Sequence, residues 1–266
     1  MFVVTGAGNG IGREVTLELL RRGARVAAVD LRPESLATTA ELASAGHRLS
    51  VHTLDLTDRE AVIRLPEQVA DQHGHLDGLI NVAGIIQRFV PFTRIPYEEM
   101  ARVVDVNLWG TLHATKACLP YLLERPQACL VNISSVGGLL PLPGQTVYGA
   151  SKAAIKLFTE GLYAELRRTA VSVSLVLPGA VRTEIAANSG VGARHGAEAL
   201  APRPRGVPFR ALSPARVART IVDQAVAEGR YRVTVGADSA VLDRLSRLSP
   251  QRATELVSRK VADLLG

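Results

Sequence analysis

The sequence predicts an α/β fold, a doubly wound parallel sheet of about seven strands with helices on both faces. Three observations carry this. Short apolar, β-branched runs alternate with longer helical stretches along most of the chain. Those short runs are near-continuously hydrophobic instead of alternating, as in strands buried on both faces. The chain has 266 residues and is 47% hydrophobic, enough to bury one large core.

The elements follow in order. Residues 2–5 form a first strand, and a glycine-rich run then opens a helix over 11–22. Further strands are expected at 25–30, 49–54, 78–82, 128–133, 172–177 and 232–235. Helical stretches lie between them at 34–45, 59–73, 98–123, 148–168 and 214–227. Repeated β-α units with right-handed crossovers give the doubly wound arrangement, so residues 1–266 read as a single domain. Residues 184–210 break the rhythm: they are rich in Gly, Ala, Pro and Arg, without periodicity. A loop of that length is expected to serve as a substrate loop or lid. Residues 241–265 read as a helical extension, two short amphipathic helices broken near Ser249-Pro250. Their apolar sides (Leu242, Leu245, Leu248, Leu256, Val257, Val261 and Leu264) are expected to pack on the domain, with a dimer or membrane-surface contact as alternatives.

Composition narrows the function. The net charge is +6, but the arginines are scattered and few aromatics accompany them. A nucleic-acid reader concentrates its charge on one face, so no nucleic-acid partner is expected. Cys118 and Cys129 lie in apolar surroundings without ligand-forming neighbours, which points to buried thiols in a reducing compartment. The six histidines, His195 in the long loop among them, show no ligand spacing, and no metal is expected. No apolar run reaches the roughly 20 residues of a membrane helix, so no stable membrane insertion is expected. Phe2-Val3-Val4 is too short for a signal sequence, and the expected location is the cytoplasm.

Thr5-Gly6-Ala7-Gly8-Asn9-Gly10-Ile11-Gly12 sits between a strand and a helix. Glycines allow close backbone approach, and a helix N-terminus presents free N–H groups and partial positive charge, which suits a pyrophosphate. Asp30 ends the second strand about 20 residues on, where a carboxylate accepts hydrogen bonds from adenosine ribose hydroxyls. A 2′-phosphate there would meet like charge, so the expected cofactor is NAD more than NADP. Arg32, two residues further, pulls the other way.

Tyr148 and Lys152 stand four residues apart, on one face of a predicted helix. The chain has only four lysines, Lys116, Lys152, Lys156 and Lys260. A lysine is a compact charge able to favour an ionised phenol beside it. A phenol of pKa about 10 is a poor base near neutrality, and a neighbouring ammonium is expected to lower that value.

Together these motifs resemble the short-chain dehydrogenase/reductase family, in its shorter, Rossmann-type form, over roughly residues 2 to 236. Thr5-Gly6-x-x-x-Gly10-Ile11-Gly12 is similar to the family's cofactor loop, with Asn9 inside it. Asp30 with its neighbour Leu31, and Asp55-Leu56, stand where the family contacts the adenosine. Asn81-Val82-Ala83-Gly84 resembles the Asn-Asn-Ala-Gly element, with Val82 in place of the second Asn. Pro178-Gly179-Ala180-Val181-Arg182-Thr183 resembles the stretch that holds the nicotinamide. Asn107, Ser135, Tyr148 and Lys152 match the family's catalytic positions. The resemblance implies that Tyr148 transfers the proton, Ser135 donates to the substrate oxygen, Lys152 supports the phenolate and holds the nicotinamide ribose, and Asn107 positions a water in a proton relay. It also implies a homo-oligomer, dimer or tetramer.

An oxidoreductase acting on a secondary alcohol or ketone is thus the expected function. A cofactor-sensing protein without turnover is disfavoured, since all four catalytic positions are filled. An NADPH-linked reductase of 3-oxoacyl thioesters is a further alternative, drawing on Arg194, Arg203, Arg205 and Arg210. The ending Arg230-Tyr231-Arg232-Val233-Thr234-Val235-Gly236-Ala237-Asp238 differs from that of the carrier-protein reductases. Gly138-Leu139-Leu140-Pro141-Leu142-Pro143 lies between Ser135 and Tyr148 and is apolar, so a hydrophobic substrate is expected.

Overall fold

The structure is a computed structural model and describes residues 1–191 and 211–260. Most of the expected lid, with His195, Arg194, Arg203, Arg205 and Arg210, lies outside the described residues, as do Val261 and Leu264.

Seven strands form one parallel sheet: β1 (Phe2–Thr5), β2 (Val26–Asp30), β3 (Leu49–Thr53), β4 (Gly78–Asn81), β5 (Ala128–Ile133), β6 (Val171–Pro178) and β7 (Arg232–Val235). Their order is β3-β2-β1-β4-β5-β6-β7. Successive side chains of a strand point to opposite faces, and here both faces are covered. Val4, Ala28 and Val131 enter a core with α1 (Gly10–Arg21) and α8 (Pro214–Thr220). Val3, Ala27 and Leu130 enter the opposite core with α3 (Arg59–His73), α5 (Gly110–Leu123) and α6 (Thr146–Glu165). That two-sided burial explains the continuous apolar runs. Fully buried Leu65, Leu79 and Ile80 each stabilise the fold by about 1.5–3 kcal/mol. The chain reverses direction across the sheet between β1 and β4, which pair in register from Phe2↔Gly78 to Thr5↔Asn81. The crevice beyond the carboxyl ends of those strands is where open α/β sheets bind ligands.

Two helical stretches differ from expectation. The predicted helix 98–123 is a rod of α4 (Tyr97–Val104) and α5 with a wide π-helical turn, Asp105–Trp109, between them. The Gly110 N–H reaches the Asp105 carbonyl, five residues back. The widened turn carries the fully buried Asn107. Likewise α8 continues as a π-helical segment, Ile221–Ala227. A hydrophobic period does not resolve one inserted residue in a helix.

The remaining helices are α2 (Pro33–Ala43), the short α7 (Ile185–Asn188), α9 (Ala237–Leu248) and α10 (Pro250–Lys260). The C-terminal extension docks through polar as well as apolar groups: Leu242, Leu245 and Val257 are half-buried and Ala253 is fully buried. In α9 the buried positions are Ser239 and Asp243, while Leu248 is 84% exposed and Leu256 of α10 42%. Ser239 donates to the Leu177 carbonyl at 2.6 Å, and Asp243 accepts from Arg232 of β7 at 2.6 Å. A charged side chain on the outermost strand takes a charged partner, and that sets the rotation of the helix.

Candidate active site

The glycine loop crosses the carboxyl end of β1. Gly6 has φ +67, and a Cβ there would come within 2.8 Å of Ala83 Cα; one at Gly12 would overlap the Gly6 carbonyl. Only glycine permits so tight a turn beside the 82–84 segment. Asn9 caps α1 by accepting from the Gly10 N–H. The N–H groups of Ile11 and Gly12 follow in the first turn, where no intrahelical acceptor exists. Such donors at a helix start fit a pyrophosphate. Thr5 Oγ1 accepts from the Val82 and Ala83 N–H groups at 3.1 and 3.2 Å, joining the loop after β4 to β1.

Asp30 stands at the rim of this cradle. Its Oδ2 accepts from the Gly8 N–H at 2.9 Å and its Oδ1 from the Arg32 N–H at 3.1 Å. Leu31 beside it is 61% exposed. The Arg32 guanidinium turns away to Asn188 Oδ1 at 2.8 Å. Asp55 holds Thr57 through its N–H and hydroxyl, and Leu56 is buried against Gly110. Asn81 is buried within the sheet, donating to Asn132 Oδ1 at 2.9 Å and Thr115 Oγ1 at 3.1 Å. Its side chain therefore sets strand registry below the cradle, while Ala83 and Gly84 form the cradle wall. Pro178 ends β6, Gly179 packs on Asp238, and Val181 pairs with Leu212. Thr183 faces the glycine loop, its Cγ2 lying 3.4 Å from where a Gly10 Cβ would stand. Between these two segments lies a cleft of about 500 Å³.

The four expected catalytic side chains come together at the same end of the sheet. Ser135 leaves β5 with its Oγ accepting from the Gly137 N–H at 3.0 Å, so its own proton is free to be donated. Tyr148 lies in the first turn of α6 beside Ser135: a Cβ on Gly137 would stand 3.4 Å from both Ser135 Oγ and Tyr148 Cε1. Lys152, one turn on, is buried and donates from Nζ to the Ile133 carbonyl at 3.1 Å. Ser134 donates to the Lys152 carbonyl at 2.7 Å. Asn107 accepts from the Ile85 N–H at 2.8 Å and donates to the Ile85 carbonyl and to Ser151 Oγ, each at 2.9 Å. A Cβ on Gly84 would lie 3.1 Å from Lys152 Nζ and 3.3 Å from Asn107 Oδ1, so glycine leaves the room in which these groups meet.

Burial raises the Tyr148 pKa above its ordinary value, and the neighbouring Ser135 hydroxyl opposes this. Burial also pulls Lys152 down to about 8. The expected net lowering of the phenol's pKa is corrected: burial outweighs the downward pull of the neighbouring Ser135. Among the described residues no group of three His, Cys, Asp or Glu side chains could hold a metal, and no helix is long and apolar enough to cross a membrane.

Sequence reasoning missed three contributors. Glu184 accepts from Asn9 Nδ2 at 2.6 Å, and Ser189 Oγ accepts from the Ile86 N–H at 2.9 Å, so the 184–191 segment lies across the cleft. Gln87 bonds to the start of α6. Their partners lie 60 to 175 residues away in the chain, where no local pattern points to them.

A family model for short chain dehydrogenase matches residues 1–192. The chain belongs to the short-chain dehydrogenase/reductase family. It is 36% identical over 264 residues to a Mycobacterium tuberculosis protein provisionally named oxidoreductase SadH, covering 98% of this chain and 94% of that protein. A Burkholderia phymatum short-chain dehydrogenase/reductase solved with NAD superposes with a TM-score of 0.81 at 28% identity, covering 92% of this chain and 91% of that one. Serine dehydrogenase complexed with NADP+ superposes at 0.79 with 29% identity, over 88% and 93% of the two chains. As a short-chain dehydrogenase/reductase the protein is an oxidoreductase that uses a nicotinamide cofactor.

Proposed function

We propose that this short-chain dehydrogenase/reductase interconverts a hydrophobic secondary alcohol and its ketone with NAD, using Tyr148 as general acid/base. One observation carries the reading. Tyr148 joins Ser135, Lys152 and Asn107 on one side and an apolar cluster of Ile86, Phe89, Leu142, Ile185, Ala186 and Val191 on the other. A polar reaction centre with an apolar wall suits a hydrophobic carbinol.

The nicotinamide, when bound, supplies the chemistry of hydride acceptance or donation. The protein's own groups handle the proton. In oxidation the Tyr148 oxygen takes the alcohol proton, and in reduction it returns one to the forming alkoxide. The Ser135 hydroxyl, fixed by the Gly137 N–H, donates to the substrate oxygen as negative charge develops there. Lys152 gains most from an anion, because it is buried and, among the described residues, paired only with a carbonyl. Ionisation of Tyr148 therefore favours the ammonium, and the ammonium favours the phenolate. Asn107 Oδ1, near Lys152 Nζ, keeps a lone pair beyond its bond to Ile85 and offers it to a water in a relay.

Asp30 supports NAD, since its carboxylate stands at the rim of the glycine cradle, where it would accept from the ribose hydroxyls. Arg32, the cation suited to a 2′-phosphate, is bonded to Asn188 instead. A homo-oligomer is part of this reading, supported by exposed Trp109, Leu123 and Leu157 on the α5 and α6 side; light scattering after gel filtration tests it.

The deciding experiment follows nicotinamide absorbance with NAD and NADP across a panel of alcohols and ketones, comparing wild type with Tyr148→Phe. The variant should lose about 10²- to 10⁴-fold in kcat. Full activity in Tyr148→Phe would sink the acid/base assignment. A panel in which only small polyols turn over would refute the apolar pocket.

A further inference from the structure

Helix α6 carries Tyr148 in its first turn yet has no cap of its own: Gln145, at the N-cap position, makes no side-chain bond to that turn. The first amide donors of a helix need acceptors from elsewhere. Gln87, in the segment after β4, provides one. Its Oε1 accepts from the Val147 N–H at 2.8 Å and from the Tyr148 N–H at 3.0 Å. Its Nε2 donates to the Gly144 carbonyl at 3.2 Å, and its backbone carbonyl accepts from Gln145 Nε2 at 2.7 Å. Gln87 is wholly buried. A methionine or leucine would fill similar space, so apolar packing alone does not call for an amide here. The amide's bonds go to Tyr148 itself and to the residues that lead into it.

The neighbours of Gln87 in the chain hold the rest of the site. Both backbone polar groups of Ile85 bond to Asn107, and the Ile86 N–H bonds to Ser189 of the segment across the cleft. Three consecutive residues thus connect the asparagine, the covering segment and the tyrosine.

We infer that Gln87 is a positioning residue for Tyr148, capping α6 from a distant segment and fixing the phenol's reach to Ser135 and the substrate oxygen. The inference rests on the reading of Tyr148 as the proton-transferring group. Small displacements of a reacting group lower rates steeply, so the effect belongs in kcat.

Gln87→Met keeps the length of the side chain and removes the acceptor. Gln87→Glu keeps an acceptor for both N–H groups. With the best alcohol of the panel, Gln87→Met should lose about 10- to 100-fold in kcat while the alcohol KM and the NADH affinity, read by fluorescence titration, stay within about threefold. The limb of the kcat–pH profile should move to higher pH in Gln87→Met, because the phenol shifts away from the Ser135 hydroxyl that pulls its pKa down. Gln87→Glu should recover both kcat and the limb. Should Gln87→Met fail to fold, Gln87→Asn withdraws the same amide by one methylene and serves in its place. Wild-type kcat with an unmoved limb in the acceptor-deficient variant overturns the inference. So does equal loss in Gln87→Glu accompanied by lost NADH binding, which marks a merely structural role. Tyr148→Phe run in parallel separates the two proposals. If it is inactive while Gln87→Met is unaffected, only the role of Gln87 falls; if it is fully active, the reading of Tyr148 falls first.

Discussion

Asn107 grips Ile85 by both of its backbone polar groups, at 2.8 Å to the N–H and 2.9 Å to the carbonyl, and donates its remaining proton to Ser151 Oγ. The side chain is fully buried, and Ile85, which it holds, is half-buried. Asn107→Leu leaves the Ile85 N–H and carbonyl without partners and should destabilise the protein by about 2–4 kcal/mol, at 1–3 kcal/mol for each buried orphan and with partial relaxation. Asn107→Asp retains an acceptor and loses both donors, and should fall between. Urea unfolding of the three proteins tests the ranking.

Lys152 gives a pH dependence whose direction is fixed by burial. Its pKa falls from 10.5 to about 8 in the folded protein. Below pH 8 the folded and unfolded chains both hold the proton, and the burial penalty is present in full. Between about 8 and 10.5 the unfolded chain binds more protons, so stability rises with pH. Wild type should gain on Lys152→Met by about 3 kcal/mol over that window. Denaturant titrations at pH 7.5, 9 and 10.5 measure this (values chosen to bracket the window, at about 1.4 kcal/mol per pH unit). A flat difference would mean that the ammonium is well accommodated where it lies.

Asp30→Asn removes the charge at the ribose end while leaving an acceptor for the Gly8 N–H. The ratio of kcat/KM with NAD to that with NADP should drop by about tenfold or more, since the repulsion toward a 2′-phosphate disappears. An unchanged ratio, with an unchanged Tm, would take Asp30 out of the ribose site.

Asp243 anchors α9 to β7 through Arg232 at 2.6 Å and accepts from Arg247, one turn on in the same helix, at 2.7 Å. Burial pushes its pKa up, but the bonds from the two arginines prevail and hold it below the ordinary 3.8. The stabilisation is therefore present above pH 3.8 and is lost as pH falls through the lower folded value. Asp243→Asn should lose about 2 kcal/mol at pH 7, with the Tm difference from wild type closing in acid. Scanning calorimetry from pH 7 downward shows whether it closes.

Much of this molecule was legible from local pattern. The seven strands, the glycine turn and the four-residue spacing of Tyr148 and Lys152 depend on neighbours within a few residues, which the chain order itself displays. Other features depend on distant partners. Periodicity over 98–123 showed a helix but not the π-helical turn that presents Asn107. The apolar stripe at the C-terminus suggested hydrophobic docking, whereas α9 turns Asp243 inward because Arg232 waits on β7.

The sequence by itself determined the doubly wound fold and, through the family its motifs resemble, the nicotinamide chemistry and the four side chains proposed to react. The fold follows from local hydrophobic pattern, and the chemistry from short motifs that resemble those of the family. Tertiary structure alone decided that burial outweighs the pull of Ser135 on the Tyr148 pKa, that Arg32 turns to Asn188, and that Gln87 caps the helix of Tyr148. The physical reason is common to all three. Burial and hydrogen-bond partnership are properties of neighbours in space, and here those neighbours are separated in sequence by up to 156 residues.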